Sequence, residues 1–524
     1  MTNEPAAVSD SSRTVIYSLA AILCLYAGSV VLGLPQQGTA LTIGHAAEGH
    51  GEHAAERDGA AAHDAGQLAT PPGYFMVLPF ALLLGAIAVF PLAHVTEHWW
   101  ESNLHRFYVA AGLGLFTLAY YAVMHAHPVD RHFLGHAVIA PTSGGISLAV
   151  PWTIFQNAIF EEYVPFIVLL FSLYTISGGI RIEGDLPAHP LTNSIFIGIG
   201  AVLANVIGTT GAAMLLIRPL LETNSERRHV KHTVVFFIFA VCNCGGCLLP
   251  IGDPPLFLGY LQGVDFLWTV SLWPQWLLVN ASLVVIYYAW DHFFCYPHES
   301  KVDIVRDEAQ IRRMRYRGIW PNAGLLLAVV VAVALLDPSK TLAGTTWHPW
   351  LFLREAVQLG LVTLSLYLGE RAVRRDNQFS YGAIVEVAAL FFGIFLCMQP
   401  ALQILAVKGS ELGIDVPWKF FWSTGALSSV LDNAPTYLVF FKAAQSLHAG
   451  GESMAGVDVE ILAAISLGAV FMGAMTYIGN GPNFMVKSIA EKSGVRMPSF
   501  FGYMLYSLGI LLPLFVLVTF LFFR

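Results

Sequence analysis

The sequence predicts an all-α polytopic membrane protein, and three observations carry that expectation. Of its 524 residues 56% are hydrophobic and only 12% charged, with a mean hydropathy of +0.62; a soluble domain carries about 25% charged residues. Apolar runs of about 20 residues, the length that crosses the hydrocarbon layer, recur along the whole chain. Two further apolar stretches have a polar, helix-breaking centre, and those centres repeat at a nearly constant offset. The net charge of −8 and basic residues confined to short loops exclude a nucleic-acid partner. No catalytic constellation and no metal site stands out, so neither an enzyme nor a resident cofactor is expected.

Taken in order, the apolar runs lie near 14–34, 74–95, 106–126, 161–181, 233–262, 268–295, 318–337, 350–370, 381–404, 459–490 and 500–523, about eleven spans. The first could be a secretory signal peptide over 1–34, but its start is poorly basic and its apolar run long, which favours a retained span. The loop after it, 45–64, holds His45, His50, His53 and His63 among acids, Ala and Gly. Their spacing fixes no coordination geometry, so a solvated linker is expected. The two remaining apolar stretches, 190–222 and 417–447, are centred on "ANVIGTTG" and "SSVLDNAPT". Both are expected to be re-entrant hairpins, because non-helical backbone at membrane depth survives only where protein or a wet cavity satisfies it. With the N-terminus cytoplasmic and the C-terminus external, nineteen of the 27 Lys and Arg residues fall on the inner side, as the positive-inside rule requires. The first hairpin then opens inward and the second outward.

The broken regions repeat. Asn205 of "ANVIG" and Asn433 of "DNAPT" are 228 residues apart, while Ile251 of "IGDPPLF" and Ile478 of "IGNGPNF" are 227 apart. The expected organisation is a first helix with its external loop (1–73), a repeat over 74–295 with its hairpin at 190–222 and broken helix at 233–262, a basic cytoplasmic loop (296–317), and a second repeat over 318–524 with its hairpin at 417–447 and broken helix at 459–490. The repeats are expected to have inverted topology. Interrupted segments at matching places in two halves point to a transporter's binding site.

Broken helices leave main-chain N–H and C=O groups unpaired at mid-membrane, where they and the helix dipoles hold ions. The candidate ion or substrate ligands are Asn205, Thr209, Gly252, Asp253, Asp432, Asn433, Thr436, Gly479, Asn480 and Asn483. An ionisable side chain inside the membrane is costly and marks function by default; the candidate proton carriers are Asp253, Asp432 and Glu386. A competing role for Asp253 is to cap the helix that restarts at Pro254. Glu161 and Glu162 open a span and are expected at the interface. Cys242, Cys244 and Cys247 have the spacing of a thiol pair or a zinc half-site, but no second CxxC or His pair accompanies them. They are expected to be small packing residues on the approach to the break.

"GGCLLPIGDPP", paired with "IGNGPN" and Asn-bearing tips, resembles the ion transporter superfamily, most closely the bacterial sodium/proton antiporter and citrate transporter group. The resemblance covers nearly all of the chain after residue 74. It implies eleven spans with two hairpins, a homodimer in the bacterial inner membrane, and an ion site at each tip: Asn205 with Gly252 and Asp253, and Asn433 with Gly479 and Asn480. Dicarboxylate carriers of the superfamily have Ser-Asn-Thr at both tips, whereas these tips read "ANV" and "DNA". The expected function is therefore Na⁺/H⁺ antiport by alternating access, with lipid, Na⁺ and H⁺ as partners. A cation-coupled citrate or dicarboxylate carrier is the alternative, and metalloid efflux or a membrane thiol oxidoreductase stands further off.

Overall fold

A computed structural model describes residues 5–51, 70–91, 93–135, 137–142, 145–309, 312–342, 345–447 and 452–524, the side chains of 5–13, 44–51, 308 and 312 excepted. The His-rich loop therefore lies outside the described residues. All long elements are helices, and the β structure among the described residues is three two-stranded antiparallel ribbons. By length and composition six helices can cross a membrane: Thr14–Val31, Asn103–Val123, Ala149–Ser177, Pro190–Ile207, Trp268–His298 and Phe500–Phe522. A seventh span results if Gly382–Cys397 and Gln399–Leu412, bent by 43° at their junction, count as one. Apolar side chains such as Leu115, Val202, Val285 and Phe520 are exposed along several of these helices, as lipid-facing surfaces require.

The chain divides into two compact units. The first comprises Met1–Ser172, Leu327–Leu368 and Ser380–Gly409. Its centre is the packing of Asn103–Val123 on Gly382–Cys397, which is close because Gly393 faces the Ala110 carbonyl, 2.5 Å from where a Cβ would stand. At one end of this pair Arg106 binds Glu386 at 2.7 Å. The Ala149–Ser177 span contains a π-helical turn, Asn157–Tyr163. Within it the Asn157 side chain accepts from the His132 and Phe133 amides and donates to the Asp130 carbonyl. Glu162 is buried within the protein and accepts from Gln399 Nε2 at 3.3 Å. The extra residue of a π turn rotates the helix face, which turns this carboxylate inward.

The second unit comprises Leu173–Leu326, Gly369–Phe379 and Ser410–Arg524. It contains the four interrupted apolar stretches singled out in the sequence, each as two helices with a break between them. The first hairpin is Pro190–Ile207 and Thr209–Thr223, joined at Gly208, whose φ of +76° suits a residue without a Cβ. The second is Pro417–Ser428 and Asn433–Gln445, joined by four residues. The first interrupted helix runs as Lys231–Ala240 and resumes as Pro254–Leu261; the second runs as Val459–Met472 and resumes as Gly481–Lys492. The expected basic loop 296–317 contains a helix, Lys301–Ala309, and the strand Arg312–Arg317, which pairs with Arg181–Asp185. Arg317 binds Asp376 at 2.8 Å and Glu183 at 3.3 Å there. The hydrogen bond from Arg317 holds the Asp376 carboxyl below the usual carboxylate range.

Candidate functional site

Two glycine pairs shape the breaks. A Cβ on Gly246 would stand 2.6 Å from Thr209 Cγ2, and one on Gly252 would run into the Gly246 carbonyl. In the second break a Cβ on Gly479 would stand 2.7 Å from the Gly473 carbonyl and 2.8 Å from that of Ser428. Each chain doubles back on itself so closely that a side chain cannot be accommodated. The turn exposes polar main chain, and the Thr209 amide takes up the Gly252 carbonyl at 2.8 Å.

Asp253 follows Gly252 and is buried. Its backbone has the conformation of an N-cap, yet its side chain makes no capping bond. The next two residues are prolines, without N–H groups to cap, and the first available amide, that of Leu256, bonds the Asp253 carbonyl at 3.1 Å. The carboxylate is held instead by three side chains from three other segments. Thr209 Oγ1, at the first hairpin tip, donates to Oδ1 at 2.8 Å. Asn480 Nδ2, in the second break, donates to the same oxygen at 3.1 Å. Asn433 Nδ2, at the second hairpin tip, donates to Oδ2 at 2.6 Å. All three donors are uncharged. Both tips and both breaks thus meet on one carboxylate.

Amides extend the cluster. Asn480 Nδ2 also reaches the Cys242 carbonyl and Asn243 Oδ1; Asn243 Nδ2 donates to Asn483 Oδ1 at 2.7 Å; Asn483 Nδ2 donates to the Gly473 and Thr476 carbonyls. Asn243 is not among the residues the sequence pattern points to, since it stands between cysteines. Its signal was a polar side chain inside an otherwise apolar run.

The remaining candidates are placed differently. The hydrogen bonds of Asn205 go elsewhere than Asp253: its Oδ1 accepts from the Leu248 amide at 2.7 Å and its Nδ2 donates to the Ala201 and Val202 carbonyls. Asp432, not Asp253, is the capping residue, accepting from the Ala434 amide at 3.1 Å. Thr436 donates to the Asp432 carbonyl, and the Gly479 amide bonds Thr476 Oγ1. Glu386 lies in the first unit, bound to Arg106. Cys242, Cys244 and Cys247 are free and fully buried. The carbonyls of Cys242 and Cys244 accept from Asn480 and Asn280, so this stretch contributes main chain to the packing.

Helix ends set the field. The helices beginning at Thr209, Pro254, Asn433 and Gly481 all start at this cluster. Their positive dipole ends favour the negative charge of Asp253. Pro254, Pro255, Pro435 and Pro482 remove N–H donors from three of these starts. The helices also leave in crossed pairs: Thr209–Thr223 packs on Gly481–Lys492, and Pro254–Leu261 packs on Asn433–Gln445.

A second buried charge cluster was not anticipated. Arg227 donates to Asp291 at 2.9 Å, His232 stands 3.0 Å from the same carboxylate, and Glu299 accepts from the Arg228 and His229 amides. Cys295 lies close enough to His232 and Asp291 to complete a metal-sized trio. Both oxygens of Asp291 are already bonded within the protein, Oδ2 also by Tyr287, which suits a structural cluster better than metal ligation.

Residues 70–523 match the sequence model of a family described as "Putative citrate transport". No curated protein matches the chain.

Proposed function

The chain belongs to this citrate-transport family, and on the premise that it is a secondary transporter we propose, from the geometry around Asp253, that it exchanges Na⁺ for H⁺ by alternating access, with Asp253 as the proton carrier. The observation that carries the reading is the Asp253 carboxylate, buried and held by uncharged donors from both hairpin tips and the second break. A carboxylate without a fixed cation at membrane depth needs a proton or a metal cation as its counter-charge. Hydroxyl, amide and carbonyl oxygens around it suit a hard cation. When Na⁺ binds, the proton on Asp253 leaves; when Na⁺ leaves on the other face, a proton returns. In this reading the two hairpins are re-entrant and open to opposite faces, a first span precedes two inverted repeats of five spans each, and the protein is a homodimer in a bacterial inner membrane with its N-terminus inside.

The family description favours a second reading, a carrier of citrate or a related carboxylate. A free tricarboxylate approaching this centre meets the charge of Asp253, so such a substrate would enter together with cations. Everted vesicles carrying a pH gradient separate the two readings. Exchange predicts that added Na⁺ dequenches a pH-sensitive dye without citrate, and that Asp253→Asn lowers this response at least about tenfold, equivalent to about 1.4 kcal/mol. Cation-dependent uptake of labelled citrate, with no sodium response in its absence, would put the carboxylate carrier first.

A further inference from the structure

We infer that the outward face of the helix Lys301–Ala309, together with Arg313 and Arg315 of the strand that follows, is a docking surface for the anionic headgroups of the lipid leaflet it faces. Such docking requires only that the chain spans a membrane, whichever solute crosses it. The helix starts three residues after the end of the candidate span Trp268–His298, and the strand Arg312–Arg317 leads directly into the apolar helix Ile319–Leu335. Both ends of the loop are thus tethered near the headgroup layer. Tyr316 and Trp320, at its far end, are exposed, and Tyr and Trp collect at the membrane–water boundary.

The helix inverts the usual order of a surface that faces water. At 3.6 residues per turn, Lys301, Val305, Ala309, Val302 and Arg306 follow one another around about 140° of its circumference, and every one of them is exposed. Val302 and Val305 are 66% and 64% exposed. The acids point the other way. Asp307 is buried and accepts from the Ala188 amide at 2.9 Å, while Asp303 accepts from Arg228 at 3.2 Å. Glu299, just ahead of the helix, is buried under the Arg228 and His229 amides. Lys301, Arg306, Arg313 and Arg315 are exposed and form no ion pair with any described side chain; Arg317, by contrast, is spent on Glu183 and Asp376. A loop that only sets topology needs cations. It does not need its acids folded away and two valines held outward. Valines set among cations match a bilayer surface, with acyl chains for the apolar groups and anionic headgroups for the charges. The tether at both ends favours that surface over an acidic partner protein.

Hydrogen exchange of the purified full-length protein in nanodiscs tests the assignment. One set of discs holds phosphatidylcholine alone, the other an equal mixture with phosphatidylglycerol. The amides of Lys301–Ala309 should exchange at least about tenfold more slowly in the mixed discs, because each cation near an anionic surface adds to the hold on the helix. Replacing Lys301, Arg306, Arg313 and Arg315 together by Gln should cancel the difference. Val305→Glu alone, a single change at an exposed position, should remove most of it and covers the case in which the fourfold variant fails to fold. Equal exchange of the wild type in both discs overturns the docking surface, as does a difference that survives the four Gln substitutions or Val305→Glu. Equal slowing by soluble glycerol phosphate in phosphatidylcholine discs would make the site one for free phosphate and overturn the surface as well. Slowing by soluble polyglutamate but not by phosphatidylglycerol would give the face to an acidic protein instead.

Discussion

At the scale of residues, the two aspartates divide the work. Asp432 spends its side chain on the Ala434 amide, and Asn is as good an N-cap as Asp. Asp432→Asn should therefore keep most transport in the vesicle assay, whereas Asp432→Ala should lower stability by about 0.5–2 kcal/mol, read as an earlier thermal transition. Replacing Cys242, Cys244 and Cys247 together by Ala should leave sodium-dependent exchange within about twofold of wild type, since burial makes these thiols packing groups; loss of exchange would return thiol chemistry to consideration. The sequence made the residue types legible but not their partners. Thr209, Asn433 and Asn480 lie 44, 180 and 227 positions from Asp253. The resemblance pairs each tip with the break of its own repeat, Asn205 with Asp253. Only the packing of the helices brings the second tip onto the first break.

Among elements, the turning points were the most legible part. Clusters of Gly, Pro, Asn and Asp inside apolar runs mark the turns, and the helices stop where those clusters fall: at Gly208, between Ser428 and Asn433, and at both breaks. Helix lengths were less legible. Hydropathy runs smoothly through Gly382–Leu412, yet Pro400 stands at the start of the second piece and the helix bends there. The tight turns give a discriminating pair of variants. Gly479→Ala drives a methyl into two main-chain carbonyls and should abolish exchange or prevent folding, seen as lost transport and an early melting transition. Gly481→Ala meets nothing within 4 Å, so the same assays should return wild-type values although only one residue separates the two.

For the whole molecule, composition alone made the membrane class plain, because 12% charged residues cannot clothe a soluble surface of this size. The grouping into two compact units was not legible. Each unit gathers three separate stretches of chain, and no shift in composition marks where the chain passes from one to the other. Orientation is open to a direct check. If the hairpins open to opposite faces, Ser225→Cys should react with a membrane-impermeant maleimide only from the cytoplasmic side, and Glu411→Cys and Glu452→Cys only from outside; all three side chains are exposed. Reaction of Glu411→Cys and Glu452→Cys from opposite sides would make the second hairpin a complete crossing.

The crossed departure of the four helices constrains how the protein is made. The helix that leaves the first tip rests on one synthesised more than 250 residues later, and the helix after the first break waits for the second tip. A ribosome delivering this chain into the bilayer must hold the early hairpin without its eventual neighbour until the C-terminal portion arrives. Severed in the stretch around Lys301, neither fragment could close the centre alone, and each would present unsatisfied polar tips to lipid. The centre can therefore close only when both halves of the chain are present.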